Sequence, residues 1–326
     1  VEWMGKIPAH WDVKRLRFVS GSNPVPSEVR GLPGDTEVSF VAMEAVGEHG
    51  GLSLETTKQL ADVKAGYTYF RNGDIVIAKI TPCFENGKGA LAAGLTNGIA
   101  FGTTELHVLR ATERADRRFM FYVTLSDAFR GLGGADMYGA GGQKRVSESF
   151  VRNFSPALPS LPEQRAIAAF LDRETARIDA LVAKKERLIE LLQEKRTALI
   201  TRAVTKGLDP NVPMKDSGVE WLGEIPAHWE AKRIKWAARM VSGHTPDKKV
   251  ESYWQGGDIP RVSLADTGQL RDVDYIERTA VMTTPDGIAH SSAHVLPPGT
   301  VIFSRDATIG LCAITRAGMA VAQHFM

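Results

Sequence analysis

The sequence has very little cysteine and no long apolar run. Cys83 and Cys312 are its only cysteines, and two isolated thiols match neither a disulfide framework nor a zinc motif. We therefore predict buried thiols in a reducing compartment, the cytoplasm. No apolar run reaches the roughly 18 residues of a membrane span, and the first residues lack the basic start and apolar centre of a signal peptide.

Motifs for catalysis, metal binding and cofactor binding are also missing. The chain has no G-x-x-x-x-G-K-[ST], no G-x-G-x-x-G at a strand–helix junction, no H-E-x-x-H and no paired C-x-x-C. Residues 211–214 do not form the N-P-P-aromatic motif of adenine methyltransferases, and Asp247 has no E-x-K partner at nuclease spacing. We therefore predict a non-catalytic chain without a metal or cofactor of its own.

The net charge is small, at +2 from 40 basic and 38 acidic residues. Any contact with DNA must therefore come from local patches of basic residues. With 326 residues, of which 43% are apolar, the chain is long enough to bury more than one core.

A long polar stretch, residues 160–207, occupies the middle of the chain. Ser160 and Glu163 predict a capping box at its start and Gly207 a stop, and such a helix would be about 65 Å long. Seven-residue spacing indicates a coiled-coil seam, interrupted by lysine, at Leu171, Ile178, Leu181, Lys185, Leu188, Leu192 and Leu199. A single apolar stripe requires partner helices, so we predict a spacer helix; the alternative, an ordinary surface helix, is disfavoured by the length.

The chain contains an internal duplication. Residues 1–18 read VEWMGKIPAHWDVKRLRF and residues 219–236 read VEWLGEIPAHWEAKRIKW. Eleven of these eighteen aligned positions are identical at an offset of 218. The motif predicts an extended Ile-Pro segment followed by a short basic helix, with tryptophans as packing anchors: Trp3, Trp11, Trp221 and Trp229.

A fainter similarity continues inside each half. Residues 73–79, GDIVIAK, correspond to residues 299–305, GTVIFSR, each a turn glycine followed by a short β-rich run and a basic residue. The second copy ends near the counterpart of Leu106, so we expect a truncated second domain. We predict four segments: a first α/β domain (1–159), the spacer helix (160–207), a linker (208–218) and an incomplete second α/β domain (219–326).

Basic and amide side chains on loops and strand ends predict a nucleic-acid surface. The glycine-rich stretch from Gly131 to Ser147 is expected to be a flexible loop able to approach a groove, and glutamine and arginine suit paired hydrogen bonds to base edges. A solvated surface charge remains the alternative for each residue alone. The candidates are Lys14, Arg15, Lys79, Lys88, Gln143, Lys144, Arg145, Lys232, Arg233 and Arg305.

The order of these parts resembles that of the specificity subunits of type I restriction-modification systems. The resemblance rests on IPAHWDVKRLRF and IPAHWEAKRIKW, on GDIVIAKITPCFENGKGA, on GQKRVS, and above all on LPSLPEQRAIAAFLDRETARIDALVAKKERLIELLQEKR. It implies a mixed α/β fold in which two target-recognition domains each read half of a split, asymmetric DNA sequence. Two antiparallel spacer helices would hold the domains apart.

The resemblance also implies partners and excludes catalysis. The spacer helices of the family dock methyltransferase subunits, which bind S-adenosylmethionine, and cleavage lies in a separate nuclease-translocase subunit. Arg261 departs from the family, which often has tryptophan there. The expected partners are double-stranded DNA and those subunits, with self-association through the single helix expected if the second is absent. A scaffold that oligomerises through the helix without binding DNA is the alternative function.

Overall fold

The structure is a computed structural model that describes residues 4–140, 142–306 and 308–326, so Trp3 lies outside the described part. The chain divides into two compact units, Val1–Gln193 and Glu194–Met326. The division falls inside the long helix. No helix within the described ranges combines the length and apolarity that a bilayer crossing requires.

The first unit is built on two four-stranded sheets and one strand pair. Its strands are β1 Asp12–Val13, β2 Ser20–Ser22, β3 Glu37–Val41, β4 Thr57–Gln59, β5 Thr68–Arg71, β6 Ile75–Ala78, β7 Gly89–Leu91, β8 Ile99–Gly102, β9 Leu106–Ala111 and β10 Ala157–Leu158. The sheet orders are β2-β9-β6-β7 and β4-β3-β8-β5, and β1 pairs with β10. Strand β3 runs parallel to β8, whereas β6 pairs antiparallel with both β7 and β9.

Strand β6 shows why the first unit has more than one layer of core. Successive side chains of a strand point to opposite faces. Ile75 and Ile77 join one apolar cluster with the helices, and Val76 and Ala78 join another with the second sheet. Because both faces of the strand are covered, its sequence is a continuous run of apolar residues.

A buried ion network anchors the Ser27–Val29 turn to this core. Asp74, 1% exposed, accepts two 2.7 Å hydrogen bonds from Arg110, which also reaches Glu28 at 3.0 Å. Desolvation opposes ionisation of Glu28, but the hydrogen bond from Tyr69 and the charges of Arg110 and Arg71 lower the pKa of Glu28 to about 2. The network is therefore strongest when Glu28 is ionised.

The helices of the first unit correct one sequence-based prediction. They are α1 Leu60–Val63, α2 Arg117–Leu125, α3 Asp127–Asp136, α4 Glu148–Asn153 and α5 Leu161–Lys206. Part of the glycine-rich stretch, from Gly131 to Asp136, is helical and not a loop. Ser126 is the N-cap of α3, because its hydroxyl oxygen accepts a hydrogen bond from Phe129 N. Gly133 is required there, since a Cβ atom would lie 2.4 Å from the Phe84 ring.

The long helix predicted at residues 160–207 is present as α5. It has 46 residues, which corresponds to about 69 Å, and Gly207 ends it with a left-handed φ of +76°. The predicted capping box is wrong: the Glu163 carboxylate accepts a 3.1 Å bond from Trp11 Nε1 and lies 3.2 Å from His10 Nε2. Glu163 therefore ties the first turn of α5 to the duplicated motif and does not cap the helix.

The second unit repeats parts of this plan. Its strands are β11 Met214–Asp216, β12 Glu224–Pro226, β13 Ile259–Val262, β14 Tyr275–Ile276, β15 Val281–Thr283, β16 Val301–Phe303, β17 Cys312–Thr315 and β18 Ala320–Val321, and its short helices are α6 Thr267–Leu270 and α7 Pro285–Ala289. Strand β13 pairs in parallel with β18, as β3 does with β8, and β16 pairs antiparallel with β17, as β6 does with β7.

Candidate nucleic-acid interface and partner helix

A cleft of about 650 Å³ opens on the first unit where two of the candidate basic residues, Lys79 and Arg145, come together. Its wall combines cationic and aromatic side chains, namely Lys64, Tyr67, Lys79, His107, Tyr138 and Arg145. Tyr138 is 63% exposed and Tyr67 is 40% exposed. This combination of positive charge and accessible aromatic rings is suited to phosphate and base contact.

Backbone hydrogen bonds position the loop that carries two of these groups, Tyr138 and Arg145. Tyr138 and Arg145 exchange bonds of 3.1 and 2.9 Å, Thr81 N donates to Lys144 O at 2.9 Å, and Val146 N donates to Lys79 O at 2.9 Å. Residues 138 and 144–146 are thus held against the end of β6. Gly139 is required at their turn, because it has φ +129° and a Cβ atom would lie 2.7 Å from a carbonyl oxygen. Gln143 and Lys144 are exposed at the tip.

Arg145 and Lys88 are engaged within the protein. Arg145 makes paired bonds of 2.8 and 2.9 Å to Glu105, and this hydrogen bonding lowers the pKa of the Glu105 carboxyl. Lys88 donates its Nζ proton to Met43 O at 3.1 Å. Both side chains hold local structure in this conformation, and Gln143 and Lys144 are the more accessible members of the set.

His107 is a residue of the cleft that the sequence did not single out. It is 7% exposed, its Nε2 donates to Val146 O at 3.0 Å, and burial lowers the pKa of its imidazole. A neutral imidazole therefore supports the loop from below. Nothing in the sequence distinguishes this histidine from the other seven.

In the second unit, Arg305 occupies the position that corresponds to Lys79. Arg305 N donates to His324 O at 3.0 Å, as Lys79 N donates to Glu105 O at 2.9 Å, and the Arg305 side chain is exposed. The strand similarity predicted from residues 73–79 and 299–305 is therefore repeated in the backbone.

The basic pairs of the duplicated motif lie elsewhere. Lys14 bonds Asp12 at 2.7 Å and Lys232 bonds Glu230 at 2.5 Å. Arg15 is exposed, as is Arg233. Strand β1, directly before the first pair, runs beside β10 at the start of α5. The structure therefore separates this pair from the cleft.

The seam of α5 is accessible to solvent. Leu171 is half-buried, whereas Ile178, Leu181, Leu188, Leu192 and Leu199 are each between 46% and 59% exposed. Lys185 is exposed within the same stripe. Apolar residues at this spacing and exposure are typical of a surface that other helices cover.

The start of α5 is held rigidly to the first unit. Gln164, 2% exposed, accepts from Asp116 N and donates to Pro159 O, both at 2.8 Å. About two turns further on, Asp172 accepts from Tyr122 OH at 2.9 Å and pairs with Arg118 at 2.9 Å. The direction of this end of the helix is therefore set by specific bonds. Over the described ranges, His, Cys, Asp and Glu residues form no group that could hold a metal ion.

Comparison with known proteins finds similarity to specificity subunits of type I restriction enzymes. Over 164 residues, or half of the chain, it is 40% identical to the type I restriction enzyme EcoAI specificity subunit and 35% identical to the EcoEI specificity subunit, both from Escherichia coli. It is also 33% identical over 104 residues to the MjaIX specificity subunit of Methanocaldococcus jannaschii. The matched segment spans 27% of each E. coli relative and 24% of the third. No family model matches the chain.

Solved structures show the same fold. A chain from a study of complex assembly and conformational transition in a type I R-M system superposes with a TM-score of 0.68, at 20% identity, over 98% of this chain and 75% of that one. The HsdS subunit from Thermoanaerobacter tengcongensis gives a TM-score of 0.54 at 20% identity over 99% of this chain and 75% of the subunit. Over half its length the chain is thus similar in sequence to specificity subunits of type I restriction enzymes, and over nearly all of it the fold resembles that of these two solved chains.

Proposed function

We propose that the chain is the DNA-recognition part of a type I restriction-modification complex and carries no catalytic site of its own. The observation that carries the proposal is the 40% identity to a specificity subunit, in a chain whose duplicated motif occurs once in each of its two units. Methylation and cleavage would reside in partner subunits, with S-adenosylmethionine bound by the methyltransferase. The complex would act in the cytoplasm.

The cleft and loop of the first unit would contact DNA, with Lys144 and Lys79 meeting phosphates and Gln143 reaching base edges. Phosphate contacts set position and base contacts give sequence preference. Arg305 would serve the second unit in the same way. Arg145 and Lys88 support the loop and strand end that present these groups. Lys14, Arg15, Lys232 and Arg233 would contribute contacts to the DNA backbone outside the cleft.

A complex of this chain with its methyltransferase subunits provides the test. We expect binding to a specific duplex, with affinity falling as salt rises by about 0.9 log units per log unit of salt for each phosphate contact. Lys144→Glu should weaken binding and reduce that salt slope by about one contact or more, whereas Lys6→Glu makes the same charge change at an exposed position remote in sequence from the loop and should have little effect. Equal affinity for all duplexes would contradict sequence recognition.

The long helix would set the gap between the two halves of a split DNA target. Deleting residues 184–190 removes one seven-residue repeat and keeps the phase of the seam. The helix becomes about 10 Å shorter, the length of about three base pairs. Selection from random DNA should return a shorter gap with unchanged half-sites, and duplication of the same residues should lengthen it. Altered half-sites with an unchanged gap would contradict this role.

In the proposed complex, the exposed seam of α5 would dock the methyltransferase subunits; the second candidate function is a scaffold that oligomerises through the same seam. A scaffold would use the seam alone and bind no DNA. Leu188→Asp combined with Leu192→Asp should abolish assembly in either case, as measured by light scattering. The scaffold would be favoured if these substitutions prevent assembly and the unsubstituted complex binds no specific DNA sequence.

A further inference from the structure

A Pro-Val-Pro segment, residues 24–26, forms part of the cleft wall on the first unit. It connects strand β2 to the Ser27–Val29 turn. A proline fixes its own φ angle at about −65° and confines the residue before it to extended conformations. Val25 stands between Pro24 and Pro26, so its backbone has little freedom to move.

Both ends of the Pro-Val-Pro segment are anchored to the core. On one side, Asn23 N donates to Val108 O at 2.8 Å, and the side-chain oxygen of Asn23 accepts from Val108 N at 3.0 Å. On the other side, the Glu28 carboxylate accepts from Tyr69 OH at 2.8 Å and pairs with Arg110 at 3.0 Å. The segment is therefore held between the sheet and the buried ion network.

The valine of this segment is turned to solvent. Val25 is 66% exposed, whereas Pro24 and Pro26 are half-buried, in keeping with the alternation of an extended chain. A single exposed apolar side chain is ordinary on a protein surface. Val25 differs because a rigid backbone presents it in a cleft that also carries Lys79 and the exposed ring of Tyr138.

The chemistry of base edges decides what such a side chain can distinguish. A valine side chain has no hydrogen-bond donor or acceptor, so it cannot read the polar pattern of a base pair. Among the groups that base pairs display in the major groove, the C5-methyl group of thymine is the apolar one. Because the segment is already ordered, little conformational entropy would be lost when it meets this group.

We infer that Val25 is a specificity-determining residue of the first unit and that its side chain recognises the C5-methyl group of one thymine in the DNA target. The inference rests on the proposed function, DNA recognition by this chain. Lys79 and Lys144 would hold the DNA backbone in the cleft, and Val25 would add a preference for thymine at one position. The ion network around Glu28 acts as the support that positions it.

Deoxyuridine provides the probe, because it differs from thymidine only in lacking this methyl group. The full chain is assembled with its methyltransferase subunits, and a preferred duplex is selected from random DNA. Each thymine of that duplex is then replaced in turn by uracil, and affinity is measured by fluorescence anisotropy. For the parent chain, one such replacement should weaken binding about 4-fold, which corresponds to the burial of one methyl group.

Val25→Ala should abolish this preference. Its complex should bind the thymine duplex on the order of 4- to 10-fold more weakly than the parent does, and the uracil replacement should then cause no further loss. Val204→Ala is the matched control, because Val204 is also 66% exposed but lies on α5. The control should keep the preference for thymine. An unchanged circular dichroism spectrum will show that Val25→Ala leaves the fold intact.

Several results would overturn the inference. They are a preferred duplex without thymine, uracil replacements that have no effect at any position, and a preference for thymine that persists in the Val25→Ala complex. In the last case the valine would contact another group, for example as a wedge between base steps. Each of these results leaves the proposed function intact, since the parent complex still prefers one duplex. A parent complex without any preferred duplex would contradict the proposed function as well.

Discussion

Replacing Gln164 by leucine should destabilise the first unit, because the Gln164 side chain hydrogen-bonds the start of α5 to the rest of that unit. The amide side chain fills both hydrogen-bonding roles at once, accepting from Asp116 N and donating to Pro159 O at 2.8 Å each. It is 2% exposed, so water has little access to either backbone group. Leucine is close in size but can neither donate nor accept a hydrogen bond.

The magnitude follows from the two groups left unsatisfied. Each buried donor or acceptor without a partner costs about 1–3 kcal/mol, and the apolar leucine recovers part of that cost. We expect Gln164→Leu to lower the free energy of unfolding by about 2–4 kcal/mol. The same change should speed hydrogen exchange of the Asp116 amide, because its acceptor is gone.

Urea unfolding followed by circular dichroism, together with exchange at the Asp116 amide, provides the assay. Glu163→Gln is the control on the adjacent residue: its carboxylate is 34% exposed in its pair with His10, so a loss below about 1 kcal/mol is expected. If Gln164→Leu lowers the free energy of unfolding by less than about 0.5 kcal/mol and leaves exchange of the Asp116 amide unchanged, these hydrogen bonds do not stabilise the contact between α5 and the first unit.

Three further outcomes are expected. Gly133→Ala should cost about 1–3 kcal/mol by overpacking against a phenylalanine ring, whereas Gly134→Ala on the same helix, with nothing within 4 Å, should be neutral or gain up to about 1 kcal/mol in thermal unfolding. Asp74→Asn should cost about 2–4 kcal/mol in urea unfolding, because Arg110 loses its buried partner. Glu28 has its folded pKa lowered from 4.5 to about 2, so its stabilisation is complete above about pH 4.5 and is lost as pH falls towards 2; Glu28→Gln should flatten stability over that window in acid titrations.

Local signals sufficed to predict the long helix. Gly207 ends it as expected, and the seam residues recur on one exposed stripe, because helix periodicity and a glycine stop are properties of neighbouring residues in the chain. The start was harder to predict. Glu163 bonds Trp11, about 150 positions earlier in the chain, and a contact of that separation leaves no mark on the local capping pattern.

The candidate interface was predicted by residue type but not by arrangement. Its glycine-rich stretch was expected to be one loop, yet Gly133 lies in a helix, at a point where the close approach of Phe84 requires a residue without a side chain. Arg145 was predicted to contact DNA, and in the structure its guanidinium group pairs with the Glu105 carboxylate. Charge and flexibility are visible in the sequence, whereas the partner of a charge depends on strands that meet only after folding.

By itself, the sequence determined the duplication, the polar helix with its apolar stripe, and the absence of the common catalytic motifs, because each depends on residue identity and spacing alone. The tertiary structure decided which of the repeated positions are covered. Leu16 and Ile234 stand in the same motif and the same 3₁₀ turn, yet one is fully buried and the other is 64% exposed. Burial is decided by segments distant in the chain, which in the first unit are α4, β10 and the first turn of α5.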